Sequence, residues 1–178
     1  ALLTAVLFRE GGRSYQSFAQ EASYLFAGQD PEEGWFDVGM RTLECTKRMM
    51  GFVLYATIAT HGPAYFATYG QAMVRLAEAF AEDLRAAPDF ELAVEPQANI
   101  VCFRFVGNGA GPRLEGARLD ELQGAVRAAI LRRGSFYLVQ TRLRGAVYLR
   151  VTLINPRTTR EHLQELMAEV RRVATALG

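Results

Sequence analysis

An α+β fold, with helices laid on one face of a small and largely antiparallel sheet, is predicted by this sequence from three observations. Residues 147–153 alternate, placing Val147, Leu149, Val151 and Leu153 on one face and Tyr148, Arg150 and Thr152 on the other, which is the period of a strand with one face in a core. A second run, 99–106, puts Val101, Phe103 and Phe105 on one face in the same way. Two amphipathic stretches, 118–133 and the C-terminal segment after Pro156, follow pairs of such runs, so the order of elements reads ββαββα.

In chain order, Ala1 to Phe8 has no charge and reads as a buried strand covered on both faces. Because it opens without Met and inside an apolar run, residue 1 reads as a cut through a longer polypeptide. Residues 9–40 are poor in regular pattern, with a weak helical signal between Ser14 and Phe26. They are rich in aromatics and flanked by Gly11-Gly12 and the Gly28 to Gly34 stretch, the composition of a mobile functional loop rather than a linker. A helix is expected from Arg41 to Thr60, stopped by His61-Gly62-Pro63, with Gly62 in the left-handed C′ position and Pro63 starting the next helix. That next helix runs to about Ala87 on a stripe of Tyr65, Phe66, Tyr69, Met73, Leu76, Ala77, Phe80 and Leu84.

Strands are then expected at Phe90 to Val94, Asn99 to Val106, Ser135 to Thr141 and Val147 to Ile154. The glycine-rich loop 107–116 and an amphipathic helix from Arg118 to Arg133 lie between the two pairs. Pro156 stops the last strand because it has no N–H to donate, and Thr158 with Glu161 reads as a capping box for the closing helix. That helix buries Leu163, Leu166, Met167, Val170, Val173 and Leu177.

With 178 residues, half of them apolar (50%), the chain is long enough to bury an ordinary core. Its 20 basic and 19 acidic residues leave a formal charge of +1 with no basic field, which argues against nucleic acid and an anionic membrane as partners. No apolar run has the length of a membrane helix. Cys45 and Cys102 lie apart without a Cys/His cluster, so neither a disulfide framework nor a metal site is expected, and a reducing cytoplasm suits them. His61 and His162 sit at helix ends, where capping or surface roles are commoner than catalysis.

Four motifs, ASYLF at 22–26, RTLECTKRMM at 41–50, NIVCFRF at 99–105 and LRGAVYLRVTLINPRTT at 143–159, together resemble the group II pyridoxal-phosphate-dependent amino-acid decarboxylases. The resemblance runs through the whole chain but matches only the last part of such an enzyme. It implies a fold-type I, α/β enzyme overall, in which residues 1–52 end the large cofactor domain, with the mobile catalytic loop at 9–40, and residues 53–178 form the small α+β domain. It further implies pyridoxal 5′-phosphate as cofactor, decarboxylation of an L-amino acid to a primary amine and CO2, and a homodimer with shared active sites. RTLECTKRMM and LRVTLINPRTT look closest to bacterial diaminobutyrate-type and related enzymes. Two other classes remain open: a cofactor-free binding or dimerisation domain that kept the fold, and another fold-type I activity such as transamination.

Residue by residue, the resemblance implies that Arg150 reaches a substrate carboxylate, for which a guanidinium offers a bidentate fork. From pattern alone an ion pair with a nearby protein carboxylate is the other reading, and Arg104, Arg142 and Arg144 read as structural. Tyr24 matches a tyrosine on the catalytic loop. A phenol is protonated at neutral pH and can give a proton to the carbon that has lost CO2, while the plainer reading is an aromatic that pins the loop. Thr46, at the Cys45-Thr46 junction, matches a position near the cofactor phosphate, where backbone N–H groups at a helix start suit an anion. Lys47 is the chain's only lysine, but the Schiff-base lysine of the family follows a His and is expected upstream of residue 1. The family often carries Gly where Thr46 stands, and Phe52-Val53-Leu54-Tyr55 replaces its usual lysine-bearing helix start.

Overall fold

The computed structural model describes residues 5–18, 39, 42, 48–107 and 114–177, and the chain divides into two compact units, Ala1–Gly62 and Pro63–Gly178. In the first unit, residues 5–8 have no regular structure, and Val6 and Leu7 are 69% and 94% exposed. The buried strand expected from Ala1 to Phe8 is therefore not formed over 5–8. A strand needs a neighbour for its N–H and C=O groups, and no described residue pairs with this segment. Helix α1 (Gly12–Phe18) is short, opened by the Ser14 hydroxyl donating to the Gly11 carbonyl at 2.6 Å and flanked by an Arg13–Glu10 pair at 2.7 Å.

Helix α2 (Met50–His61) starts later than the expected Arg41, for Arg48 and Met49 lie outside it and Met49 has no side chain with which to cap it. No charged residue occurs from Met50 to Thr60, and none of its side chains is fully buried. Gly62 ends it at positive φ (+75°), a conformation that disfavours any side chain, but its ψ of 164° lies outside the left-handed helical conformation expected there; its N–H donates to Ile58 O at 2.8 Å.

In the second unit helix α3 (Ala64–Ala86) buries Met73, Ala77, Phe80, Ala81 and Leu84, but the start of the expected stripe is not core, for Tyr65 and Phe66 are exposed. Strands β1 (Phe90–Leu92) and β2 (Ile100–Phe105) follow, then helix α4 (Gly116–Arg133), strands β3 (Val139–Leu143) and β4 (Ala146–Thr152), and helix α5 (Arg160–Leu177). The four strands form one sheet in the order β1-β2-β4-β3 with every neighbouring pair antiparallel, the α+β arrangement expected. Phe103 on β2 is fully buried, edge-on to Phe80 of α3 at 5.4 Å and tilted against Phe90 of β1 at 6.0 Å. Leu149 and Val151 of β4 meet Leu163, Leu166, Met167 and Val170 of α5 in the same core. Burying such side chains contributes about 1.5–3 kcal/mol each.

Several element edges shift by a few residues: β1 ends at Leu92 rather than Val94, β4 at Thr152 rather than Ile154, and α4 starts at Gly116 rather than Arg118. Strand β3 begins at Val139 rather than Ser135, because the Leu138 carbonyl accepts from Arg127 Nε of α4 at 3.0 Å instead of joining the ladder. The cap of α5 is Thr159, not Thr158, and its reciprocal partner is His162, not Glu161. The Thr159 N–H donates to His162 Nδ1 at 3.1 Å, and the His162 N–H to Thr159 Oγ1 at 3.4 Å. Glu161 still feels that turn, its carboxyl pulled below the ordinary range by the Thr159 side chain and a backbone N–H. At the other end Leu177 is half exposed and Ala174 is buried in its stead.

Candidate functional site

The face of the sheet away from the helices carries a polar row built by strand register. Cross-strand pairing sets Glu91 opposite Arg104 and Cys102 opposite Arg150, while Arg150 and Tyr148 share a face because they are two apart on β4. Arg104 pairs with Glu91 at 2.8 Å, the Tyr148 hydroxyl donates to Glu91 Oε1 at 3.0 Å, and the Arg104 guanidinium stacks 4.9 Å from the Tyr148 ring centre. Burial, and then the Glu91 carboxylate, push the Tyr148 phenol above its ordinary range. Burial works against the Arg104 cation, but Glu91 more than offsets it and keeps the guanidinium charged. Arg104 is thus structural, as the sequence suggested, and so is Arg142, paired with Asp120 at 3.3 Å.

Arg150 differs from every other half-buried arginine among the described residues. Arg104 has Glu91, Arg127 has the Leu138 carbonyl and Arg171 has Asp89 at 2.5 Å. Arg150 has no carboxylate within pairing distance among the described residues. Its Nη2 reaches only the Thr152 hydroxyl, at 3.5 Å, and its Nε is shielded from solvent with no acceptor. An ordered cation with unspent donors is suited to an anion that arrives from outside.

Arg150 is one of the residues lining a cleft of about 480 Å³ formed with the start of β3, the end of β4 and α5. Phe136, Val139, Leu153, Ile154, His162 and Leu163 are among its walls. Since His162 Nδ1 accepts from the Thr159 backbone, its Nε2 carries the proton in the neutral ring. Among the described residues that line the cleft none is acidic. Sequence reasoning missed the cleft, and it missed the Glu91–Arg104–Tyr148 cluster, whose members are far apart in the chain and join only through register.

Tyr24, Thr46 and Lys47 lie outside the described residues, so Arg150 is the expected site residue with a described position. Among the described residues no group of three or more His, Cys, Asp or Glu could hold a metal. None of them is a lysine either, so none can anchor pyridoxal phosphate as a Schiff base, and its covalent anchor has no candidate in the described part of the chain.

Residues 2–106 match the pyridoxal-dependent decarboxylase conserved domain. An L-2,4-diaminobutyrate decarboxylase of Acinetobacter baumannii is 27% identical over 88% of this chain and 30% of its own length. An aromatic-L-amino-acid decarboxylase of Bacillus atrophaeus is 25% identical over 95% of this chain and 35% of its own. Among solved structures, the glutamate decarboxylase domain of the diaminobutyrate-pyruvate transaminase and L-2,4-diaminobutyrate decarboxylase from Vibrio parahaemolyticus superposes with a TM-score of 0.66 at 26% identity. That superposition covers 80% of this chain and 29% of that one. The chain spans about a third of the length of the relatives it matches. A domain match over more than half of the chain, with the expected fold beneath it, places the chain in the pyridoxal-dependent decarboxylase family.

Proposed function

We propose that the whole protein decarboxylates an L-amino acid to a primary amine and CO2 with pyridoxal 5′-phosphate, acting as a cytoplasmic homodimer with shared active sites. The observation that carries this reading is Arg150, a half-buried guanidinium on a central strand that no described carboxylate neutralises. The relatives' names and the family's chemistry supply the reaction class. The bond-breaking chemistry belongs to the cofactor, whose lysine we place upstream of residue 1.

This chain's contribution is threefold. Arg150 binds a substrate carboxylate and fixes its orientation. Tyr24, on a loop within 9–40, delivers a proton to the carbon that CO2 has left, so that one C–C bond is exchanged for one C–H bond. Thr46 offers its backbone N–H near the cofactor phosphate.

The test is made on the intact enzyme loaded with cofactor, following CO2 and amine separately. Arg150→Gln should keep the cofactor's absorbance while kcat/KM falls roughly ten- to a hundred-fold, the size of a lost charge-assisted pair. Arg150→Lys should recover little, because an ammonium has no planar fork. Unchanged kcat/KM in a folded Arg150→Gln enzyme would remove the role, and absence of CO2 release from every amino acid tried would remove the decarboxylase reading.

A further inference from the structure

His162 is half of the cap of α5, and the bond it makes there depends on its charge. The Thr159 N–H donates to His162 Nδ1 at 3.1 Å and the Thr159 hydroxyl lies 3.3 Å from the same nitrogen, while the His162 N–H donates to Thr159 Oγ1 at 3.4 Å. In the usual capping box the position of His162 holds Glu or Gln, whose oxygens accept at neutral and mildly acidic pH alike. An imidazole nitrogen accepts only while it is unprotonated, and in the imidazolium both ring nitrogens are donors. A charged ring sets its Nδ1–H against the Thr159 N–H. It can still turn toward Thr159 Oγ1, but the backbone N–H loses its acceptor. The ring is exposed, so solvent protons reach it. The groups around it pull in both directions. Glu161 and Glu165, one and three positions away on α5, favour the charge, and Glu161 is coupled to it electrostatically. Against it stand the positive end of the α5 dipole and Arg150, which lines the same cleft, as does Tyr137. Arg160 is engaged by Asp83 of α3.

We propose that His162 makes the first turn of α5 a pH-sensitive latch, closed on Thr159 while the ring is neutral and released when the ring takes up a proton. The sign follows from the bond. The neutral ring is the form that caps, so the cap stabilises α5 on the alkaline side and is lost as pH falls through the range in which imidazoles are protonated, about 6.5 for an unperturbed one. Leu163 and Leu166 belong to the core and stop the release, which is confined to residues 159–162. His162 itself, and Thr158 just before this turn, line the cleft, so the order of that part of the wall follows the charge of the ring.

NMR of the chain, titrated from about pH 7.5 to about pH 5, tests the latch across the imidazole range. His162 should show the Nε2–H tautomer at the alkaline end. Once the ring is charged, the Thr159 amide should exchange with solvent at least about threefold faster after correction for the intrinsic effect of pH, the size of a lost helix cap. Cα shifts of residues 160–162 should move toward coil values with the midpoint of the ring, while that of Val170 stays. His162→Glu, a carboxylate that stays ionised down to about pH 4.3, should keep Thr159 protected throughout, and His162→Ala should leave it unprotected throughout. His61→Gln, which removes the chain's other histidine, should leave the response in place. An Nδ1–H tautomer at the alkaline end, a Thr159 amide that ignores the charge of the ring, the same pH response in His162→Glu or His162→Ala, or its loss in His61→Gln overturns the proposal.

Discussion

Cys102 and Arg150 face each other across β2 and β4 in direct register, a buried thiol beside a half-buried guanidinium. Burial raises the thiol above its ordinary 9.0, and the nearby Arg150 charge opposes that without cancelling it. Because the thiolate is the reactive form, little of it exists at neutral pH. Iodoacetamide at about pH 8 should therefore label Cys102 in the folded chain at least about tenfold more slowly than in urea, as read by peptide mapping. Equal rates in the two conditions would show that the thiol is neither buried nor raised.

Gln123 of α4 is fully buried and closes the end of β2. Its Oε1 accepts from the Phe105 N–H at 3.0 Å, and its Nε2 donates to the Phe105 carbonyl at 2.9 Å and the Leu119 carbonyl at 3.2 Å. Gln123→Leu leaves the strand's polar groups without partners and should cost about 1–3 kcal/mol in urea unfolding. Gln123→Glu should cost more at neutral pH, since a carboxylate facing two carbonyls must be buried charged or protonated, and part of that loss should return as pH is lowered. Equal stability of Gln123→Glu and wild type at neutral pH would contradict the buried network.

Asp83 of α3 receives Arg160 Nε at 2.9 Å and Nη2 at 2.5 Å, with Gln164 Nε2 at 3.2 Å. The Arg160 hydrogen bonds outweigh burial and hold its carboxyl below the ordinary 3.8. A depressed carboxyl stabilises the fold above its ordinary value and loses that contribution as pH falls through the folded-state value. Asp83→Asn should thus lower stability by about 0.5–1 kcal/mol at neutral pH, less at high salt. The gap to wild type should close as pH is taken well below 3.8. A gap that stays constant with pH would mean that the charge of Asp83 contributes nothing.

Tyr24 is open to test in the intact enzyme although it lies outside the described residues. If its phenol delivers the proton, Tyr24→Phe should keep releasing CO2 while amine formation falls and aldehyde rises, with O2 taking two electrons to become H2O2 and the amino group leaving as ammonia, as the resemblance to relatives with phenylalanine there implies. Wild-type amine yield in Tyr24→Phe would return the residue to a packing role.

What could be read from the sequence was whatever local periodicity encodes. The alternation from Val147 to Leu153 placed Arg150 on the face opposite the core, and the spacing from Leu163 to Val173 gave the buried side of α5. Helix and strand edges were less legible, because they are decided by partners elsewhere. Arg127 withholds the Leu138 carbonyl from β3, and His162, a residue rarely read as a capping partner, moves the cap of α5 to Thr159. The Glu91–Tyr148 bond spans 57 residues, so no window of sequence contains it. The cleft could not be foreseen either, for its lining comes from β3, β4 and α5 together.

The connection between those two strands is two residues long. Leu143 pairs with Ala146, and between them Arg144 and Gly145 both take positive φ, 49° and 84°, as the tight turn that matches strand twist demands. Such a turn works as a ruler. It counts the chain from a fixed corner, and parity along β4 decides which side chains meet the core. One residue inserted between Gly145 and Arg150 without a compensating bulge would carry the guanidinium to the helix side and turn Leu149 outward. Length variation in this hairpin should accordingly come in pairs of residues or not at all, whereas the loops on the far side of the sheet carry no such constraint on Arg150.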